Sequence, residues 1–173
     1  MSATPDRFTP PTGVELLVIG GGAAGLVAAK TAARFGSRVL LVERERLGGD
    51  CLWAGCVPSK SLIAAAHAAT AHRQAGALGV TAPTPAVDIA AVMEHVHGAI
   101  RAIEPTDSVD SVEETGARVL RGDVRFTSPT TAEIDGAPVR FAQAIIATGS
   151  SPAIPDLPGL DAVDPLTSDT VWE

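Results

Sequence analysis

Cysteine is scarce in this 173-residue chain, with only Cys51 and Cys56, and aromatic residues make up only 3% of it. Two thiols cannot build the disulfide framework of a small secreted scaffold, which needs several bridges. Long apolar runs are also missing. The best one, Leu16–Ala29, is broken by Gly20–Gly22 and falls short of the ~20 residues that span a bilayer. No basic block occurs and the net charge is −7, which argues against nucleic acid as a partner and gives no membrane-binding signal. The opening stretch, "MSATPDRFTPPTG", lacks the apolar core of a secretory leader. We read residues 1–13 as a disordered leader and expect a cytoplasmic location, where a lasting structural disulfide is not maintained. What remains is 46% hydrophobic, with 17 glycines and 13 prolines, the profile of a soluble, alanine-rich globular chain of about one domain. An acidic balance does not exclude a phosphorylated cofactor, because backbone N–H groups bind phosphate without side-chain charge.

Both cysteines lie in "GGDCLWAGCVPSK", residues 48–60. A disulfide needs Cα atoms within about 7 Å, yet five residues of regular α-helix advance about 7.5 Å along the axis. On an undistorted helix the pair therefore cannot bridge; it can if Cys51 sits in a loop and Cys56 near the start of a helix. Gly55 relaxes the backbone between them, and Pro58 suits a first helical turn. "PSKSLIAAAHAATAHRQ" then reads as that helix. A bridge over so short a loop stabilises by only about 2 kcal/mol in the chain-entropy model, a poor structural staple. Structural zinc wants four ligands, usually as two knuckles, and only His67 and His72 follow down the helix. A redox-active pair fits best. A metal half-site and two unrelated buried thiols are the alternatives the residues leave open.

A second signal lies upstream, in "VELLVIGGGAAGLVAAKTAARFGSRVLLVERE". Val14–Ile19 reads as a buried parallel strand, and Gly20, Gly22 and Gly25 fit G-x-G-x-x-G. Leu26–Phe35 reads as a helix closed by Gly36. A second apolar run, Arg38–Val42, ends in Glu43, close to the ~20-residue distance at which an acid meets a ribose hydroxyl. Gly20 allows the tight turn, Gly22 lets backbone approach a pyrophosphate, and Gly25 permits close helix–strand packing.

Residues 76–85 read as a Gly/Pro/Thr loop. Asp88 caps a helix whose apolar residues Ile89, Val92, Met93, Val96, Ile100 and Ile103 recur at helical spacing up to Pro105. His95 and His97 do not share a helical face and are not read as ligands. Val109 and Val112 suggest a short further helix closed by Gly116. "ARVLRGDVRF", "TAEIDG" and "APVRFAQAIIATGS" alternate apolar and polar residues around turns, as a small antiparallel ribbon before one more buried strand, Ala144–Ala147. Residues 151–173 are proline-punctuated and read as a linker.

In order, "GGGAAG" with Glu43, "GGDCLWAGCVPSK" and "AIIATGSSPAIPDLPG" resemble the class I pyridine nucleotide-disulfide oxidoreductases. That is the family of dihydrolipoamide dehydrogenase, glutathione reductase and mercuric reductase. The resemblance implies an α/β fold: a doubly wound, Rossmann-like FAD-binding domain over residues 14–150, with a parallel sheet and an inserted antiparallel β-ribbon. It implies that Gly20, Gly22, Gly25 and Gly49 cradle the FAD pyrophosphate, with Asp50 beside them, and that Glu43 holds the adenosine ribose. Gly122-Asp123-Val124 matches the adenine-contacting turn, Lys60 the lysine near the flavin, and Thr148-Gly149-Ser150 the second FAD motif. Cys51 becomes the interchange thiol and Cys56 the flavin-facing one. Asp50 and Trp53 stand where the family usually has threonine and asparagine, and "GCVPSK" leans toward mercuric reductase and lipoamide-type members. The implied activity is NAD(P)H-dependent reduction, through FAD and the cysteine pair, of a small disulfide, a metal ion or a quinone-like substrate, in a homodimer. No second G-x-G-x-x-G occurs in the sequence, so the nicotinamide site is expected in a domain outside this chain. The alternative is a nucleotide-binding module that does not turn over, the chain being a piece of a longer enzyme.

Overall fold

The computed structural model describes residues 13–80 and 83–172. The expected leader, Gly13 apart, and the centre of the 76–85 loop lie outside the described residues. The chain forms two compact units, the first running up to Gly49 and resuming over Thr106–Gly149, the second comprising Asp50–Pro105 and the segment from Ser150 onward.

The first unit is built on continuous apolar runs, which suit strands buried on both faces. Strand β1 (Val14–Ile19) leads through the glycine turn into helix α1 (Ala23–Arg34), which returns to β2 (Val39–Glu43). A later helix, α5 (Val109–Glu113), leads into β3 (Arg118–Arg121), followed by β4 (Val124–Ser128), β5 (Thr131–Ile134) and β6 (Ala137–Ile146). The strands form one sheet in the order β3-β2-β1-β6-β5-β4. β3, β2, β1 and the second half of β6 are parallel, with Leu17 opposite Leu40 on one side and Ala144 on the other. β4, β5 and the first half of β6 are the antiparallel ribbon. The fold is therefore the α/β, Rossmann-like one with an inserted ribbon.

Alternation along the strands feeds two cores. Val18, Val39 and Leu41 pack with Leu26, Ala29 and Ala33 of α1 and Val112 of α5. Leu17, Leu40 and Val42 point the other way and pack with Ala132, Ile134, Val139 and Phe141 from the ribbon. Lys30 of α1 ties the α5 segment down, its Nζ donating to Thr106 O at 2.6 Å and to Ser111 Oγ at 2.9 Å.

Two strand expectations change. "ARVLRG" is not part of the ribbon but a parallel strand beside β2. The last strand is no separate element. β6 runs ten residues, changes partner from β5 to β1 midway, and leaves Ala144, Ile145 and Ile146 exposed rather than buried.

The second unit holds α2 (Gly49–Trp53, its first residue belonging to the first unit), α3 (Cys56–Gln74) and α4 (Ile89–Ile103). α3 packs against α4, whose inward residues include Val96 and Ile100. Asp88 caps α4, Oδ1 accepting from Ala91 N at 3.2 Å. The stretch expected as a loop from Gly76 begins as a 3-10 turn, Ala75–Leu78, ended by Gly79 at φ 79°. No helix among the described residues is long and apolar enough to cross a membrane.

Candidate functional site: a glycine cradle and a thiol pair

In the first unit the C-terminal ends of the parallel strands converge, the side on which open α/β sheets bind ligands. β1 is followed by Gly20 at φ 101°, a conformation that favours glycine. A Cβ there would meet Ala147 O at 2.3 Å and Thr148 Cα at 3.1 Å, so the turn after β1 runs against the exit of β6. Gly25 sits even tighter, since a Cβ would fall 1.8 Å from Gly20 O. Gly22 is different: a Cβ would meet only Gly49 Cα, at 3.7 Å. Its missing side chain keeps the approach to the backbone open. Gly22 is the N-cap of α1 and no side chain caps that helix, so its first-turn N–H groups and positive dipole end can receive an anion.

Glu43, the last residue of β2, is bound to this turn. Its Oε2 accepts from Gly21 N at 2.5 Å and its Oε1 from Glu45 N at 2.8 Å. A carboxylate has about four acceptor positions, so both oxygens retain capacity for a ribose hydroxyl. Sequence reasoning missed this structural duty, and with it the need for glycine at position 21, where a Cβ would strike Leu47 Cδ2 at 2.3 Å. The only hint was the middle glycine of the row, which G-x-G-x-x-G does not require.

Gly49, at φ 55°, would set a Cβ 2.6 Å from Gly22 Cα, so these two glycines make a backbone-to-backbone crossing. The Gly122-Asp123-Val124 turn is brought beside Glu43 by Gly122 N donating to Glu43 O at 3.0 Å. Asp123 N donates to Asp135 Oδ1 at 3.0 Å, and Val124 opens β4 opposite Ile134. The N–H groups of Gly122 and Asp123 thus already have acceptors. Thr148, Gly149 (φ 68°) and Ser150 are exposed after β6.

The second unit carries the sulfurs. Cys51 lies in the short helix α2, not in the expected loop, because Gly49 turns the chain into a helix anchored by the buried Leu52. Cys56 is the first residue of α3. The helix break at Ala54–Gly55 lets the pair meet despite its i, i+5 spacing. Both are free thiols, Cys51 half-buried and Cys56 exposed. The Cys51 thiol is pushed above its usual value, chiefly by a side-chain hydrogen bond with Cys56, then by burial and the charge of Cys56. The backbone N–H of Cys56 and the charge of Lys60 act in the opposite direction. The two thiols thus lie within hydrogen-bonding reach of each other. Asp50 is exposed in the first turn of α2, its carbonyl accepting from Ala54 N at 2.9 Å. Lys60 is exposed one turn into α3.

Over residues 14–173 the sequence matches the family model described as pyridine nucleotide-disulphide oxidoreductase. The chain belongs to this family. Among members it is similar to a mercuric reductase of Streptomyces lividans, 38% identical over 168 residues (94% of this chain, 35% of that protein). A mercuric reductase of Staphylococcus aureus is 35% identical over 159 residues (92% and 29%). Dihydrolipoyl dehydrogenase 2 of Haloarcula marismortui is 41% identical over 153 residues (83% and 32%). The chain spans about a third of the length of these curated relatives. Sequence reasoning missed one further participant in the second unit, Trp172, whose Nε1 donates to Ala54 O between the two cysteines at 2.9 Å. No local pattern announces a partner so distant in sequence.

Proposed function

We propose that this chain is the N-terminal FAD-binding portion of a flavoprotein disulfide reductase, in which Cys51 and Cys56 cycle between dithiol and disulfide. The observation that carries the reading is the thiol pair across the break between α2 and α3, with Cys51 hydrogen-bonded to Cys56 and within reach of the Lys60 charge. The cradle fits the pyrophosphate and adenosine half of FAD: an uncapped α1 N-terminus, an open Gly22, and Glu43 with spare acceptor capacity. When bound, FAD supplies two-electron chemistry between NAD(P)H and the thiols. The chain's own residues do the rest. With FAD bound, the first turn of α1 would receive the pyrophosphate charge, and Glu43, already bonded to Gly21 N, would offer its spare acceptor capacity to the ribose, while Gly20 and Gly25 hold the turn to the sheet. Thr148 lies against Gly20 at the exit of β6, and Val124 follows the Gly122 turn that is bonded to Glu43.

The cysteine pair stores two electrons as two S–H bonds and releases them, with two protons, on closing one S–S bond. Cys51 is assigned the exchange with substrate and Cys56 the side toward the flavin. A metal ion is the favoured substrate, in keeping with the name of the mercuric reductase relatives, because paired thiolates suit a soft cation. A small disulfide or a quinone is served by the same dithiol. NAD(P)H as the electron donor and a homodimeric state are part of the same proposal.

Thiol counting tests the reading. After dithiothreitol, alkylation and mass measurement should find two modified cysteines. After mild oxidation they should find none, with no disulfide joining two chains. Two taggable thiols under oxidation, or a bridge between chains, would reject the redox pair.

A further inference from the structure

We propose that Trp172 is a positioning residue for the Cys51–Cys56 pair, holding the turn that sets the spacing of the two sulfurs; the inference rests on the redox reading above. α2 ends at Trp53 and α3 begins at Cys56, so the relation between the sulfurs passes through Ala54 and Gly55 alone. Gly55 adopts φ −117°, ψ −109°, outside both the helical and the extended wells. A Cβ at Gly55 would lie 2.8 Å from Asp50 O, so the position needs glycine. Glycine, in turn, gives the turn no conformational lock of its own.

The lock comes from the far end of the chain. The indole Nε1–H of Trp172 donates to Ala54 O at 2.9 Å. The carbonyl of Trp172 pairs with His97 Nε2 on α4 at 2.8 Å. A carbonyl can only accept, so His97 carries its proton on Nε2. One residue is thus fixed at both ends, its indole on the turn and its backbone on α4, and all of these groups belong to the second unit. Ala54 is held through both its polar groups, because its N–H also donates to Asp50 O at 2.9 Å. Rotating the Ala54–Gly55 peptide would break the indole bond and carry the first residue of α3, Cys56, with it. Trp172 acts through the backbone and needs no contact with either sulfur.

The test equilibrates the full chain with a glutathione buffer and measures the disulfide-to-dithiol ratio. Closing the pair removes two S–H bonds and forms one S–S bond. Glutathione disulfide takes the two electrons and two protons and becomes two glutathione thiols. Trp172→Phe keeps an aromatic ring but lacks the donor, so the sulfurs spend less time in register. The ratio should fall about two- to tenfold, the weight of one hydrogen bond, with the circular dichroism unchanged. Should that variant fail to fold, His97→Leu, which frees the other end of the same residue, carries the test and should shift the ratio the same way. A ratio unchanged or raised in the folded variant, while the wild-type pair closes normally, overturns the positioning role and leaves the redox reading standing. A wild-type chain that never closes the bridge overturns both.

Discussion

Cys51 holds its proton more firmly than an ordinary thiol, and the first cause is its hydrogen bond with Cys56. The folded chain therefore keeps this proton at alkaline pH values where the unfolded chain has lost it. The resulting stability is complete below the ordinary cysteine pKa and is lost as pH rises through the higher folded value. Cys56→Ala removes the leading cause while Lys60 remains. The pH profile of Cys51 alkylation should move to lower pH, and the alkaline fall of the urea midpoint should shrink. A profile that stays in place would mean that the two sulfurs do not interact. The glycines of the cradle make a second residue-level contrast. Gly25→Ala sets a methyl 1.8 Å from Gly20 O, a clash that backbone must absorb. It should cost about 1–3 kcal/mol or more in urea unfolding. Gly22→Ala meets only ordinary contact and should fold like the wild type.

Among the elements, α4 was the most legible, with its Asp88 cap, apolar spacing and Pro105 all written locally. Asp88→Ala removes the acceptor of Ala91 N and should lower stability by about 1 kcal/mol in chemical denaturation. β1, α1 and β2 were nearly as plain, because a short apolar run, a glycine turn and a helical repeat follow one another in order. Two elements were not legible. α2 has five residues, two of them glycine and aspartate, and its helical state rests on burying Leu52 rather than on propensity. β6 hid its continuity, because "APVRF" alternates and "AIIA" is uniformly apolar. The chain runs straight through both while exchanging an antiparallel neighbour for a parallel one.

At the level of the whole molecule, the motifs that define the family were readable because each is contiguous in sequence. Ties that join distant segments were not: Glu43 bonded to Gly21, Gly122 to Glu43, and Trp172 to Ala54. They depend on where strands and tails return, which no local window encodes. The central claim is that the cradle of the first unit receives the ADP half of FAD. A titration of the chain with FAD, followed by competition, tests it most directly. Binding should be saturable and one-to-one, displaced by ADP but not by riboflavin, and weakened by Gly22→Val without unfolding the protein. Binding indifferent to ADP, or unaltered by Gly22→Val, would contradict it.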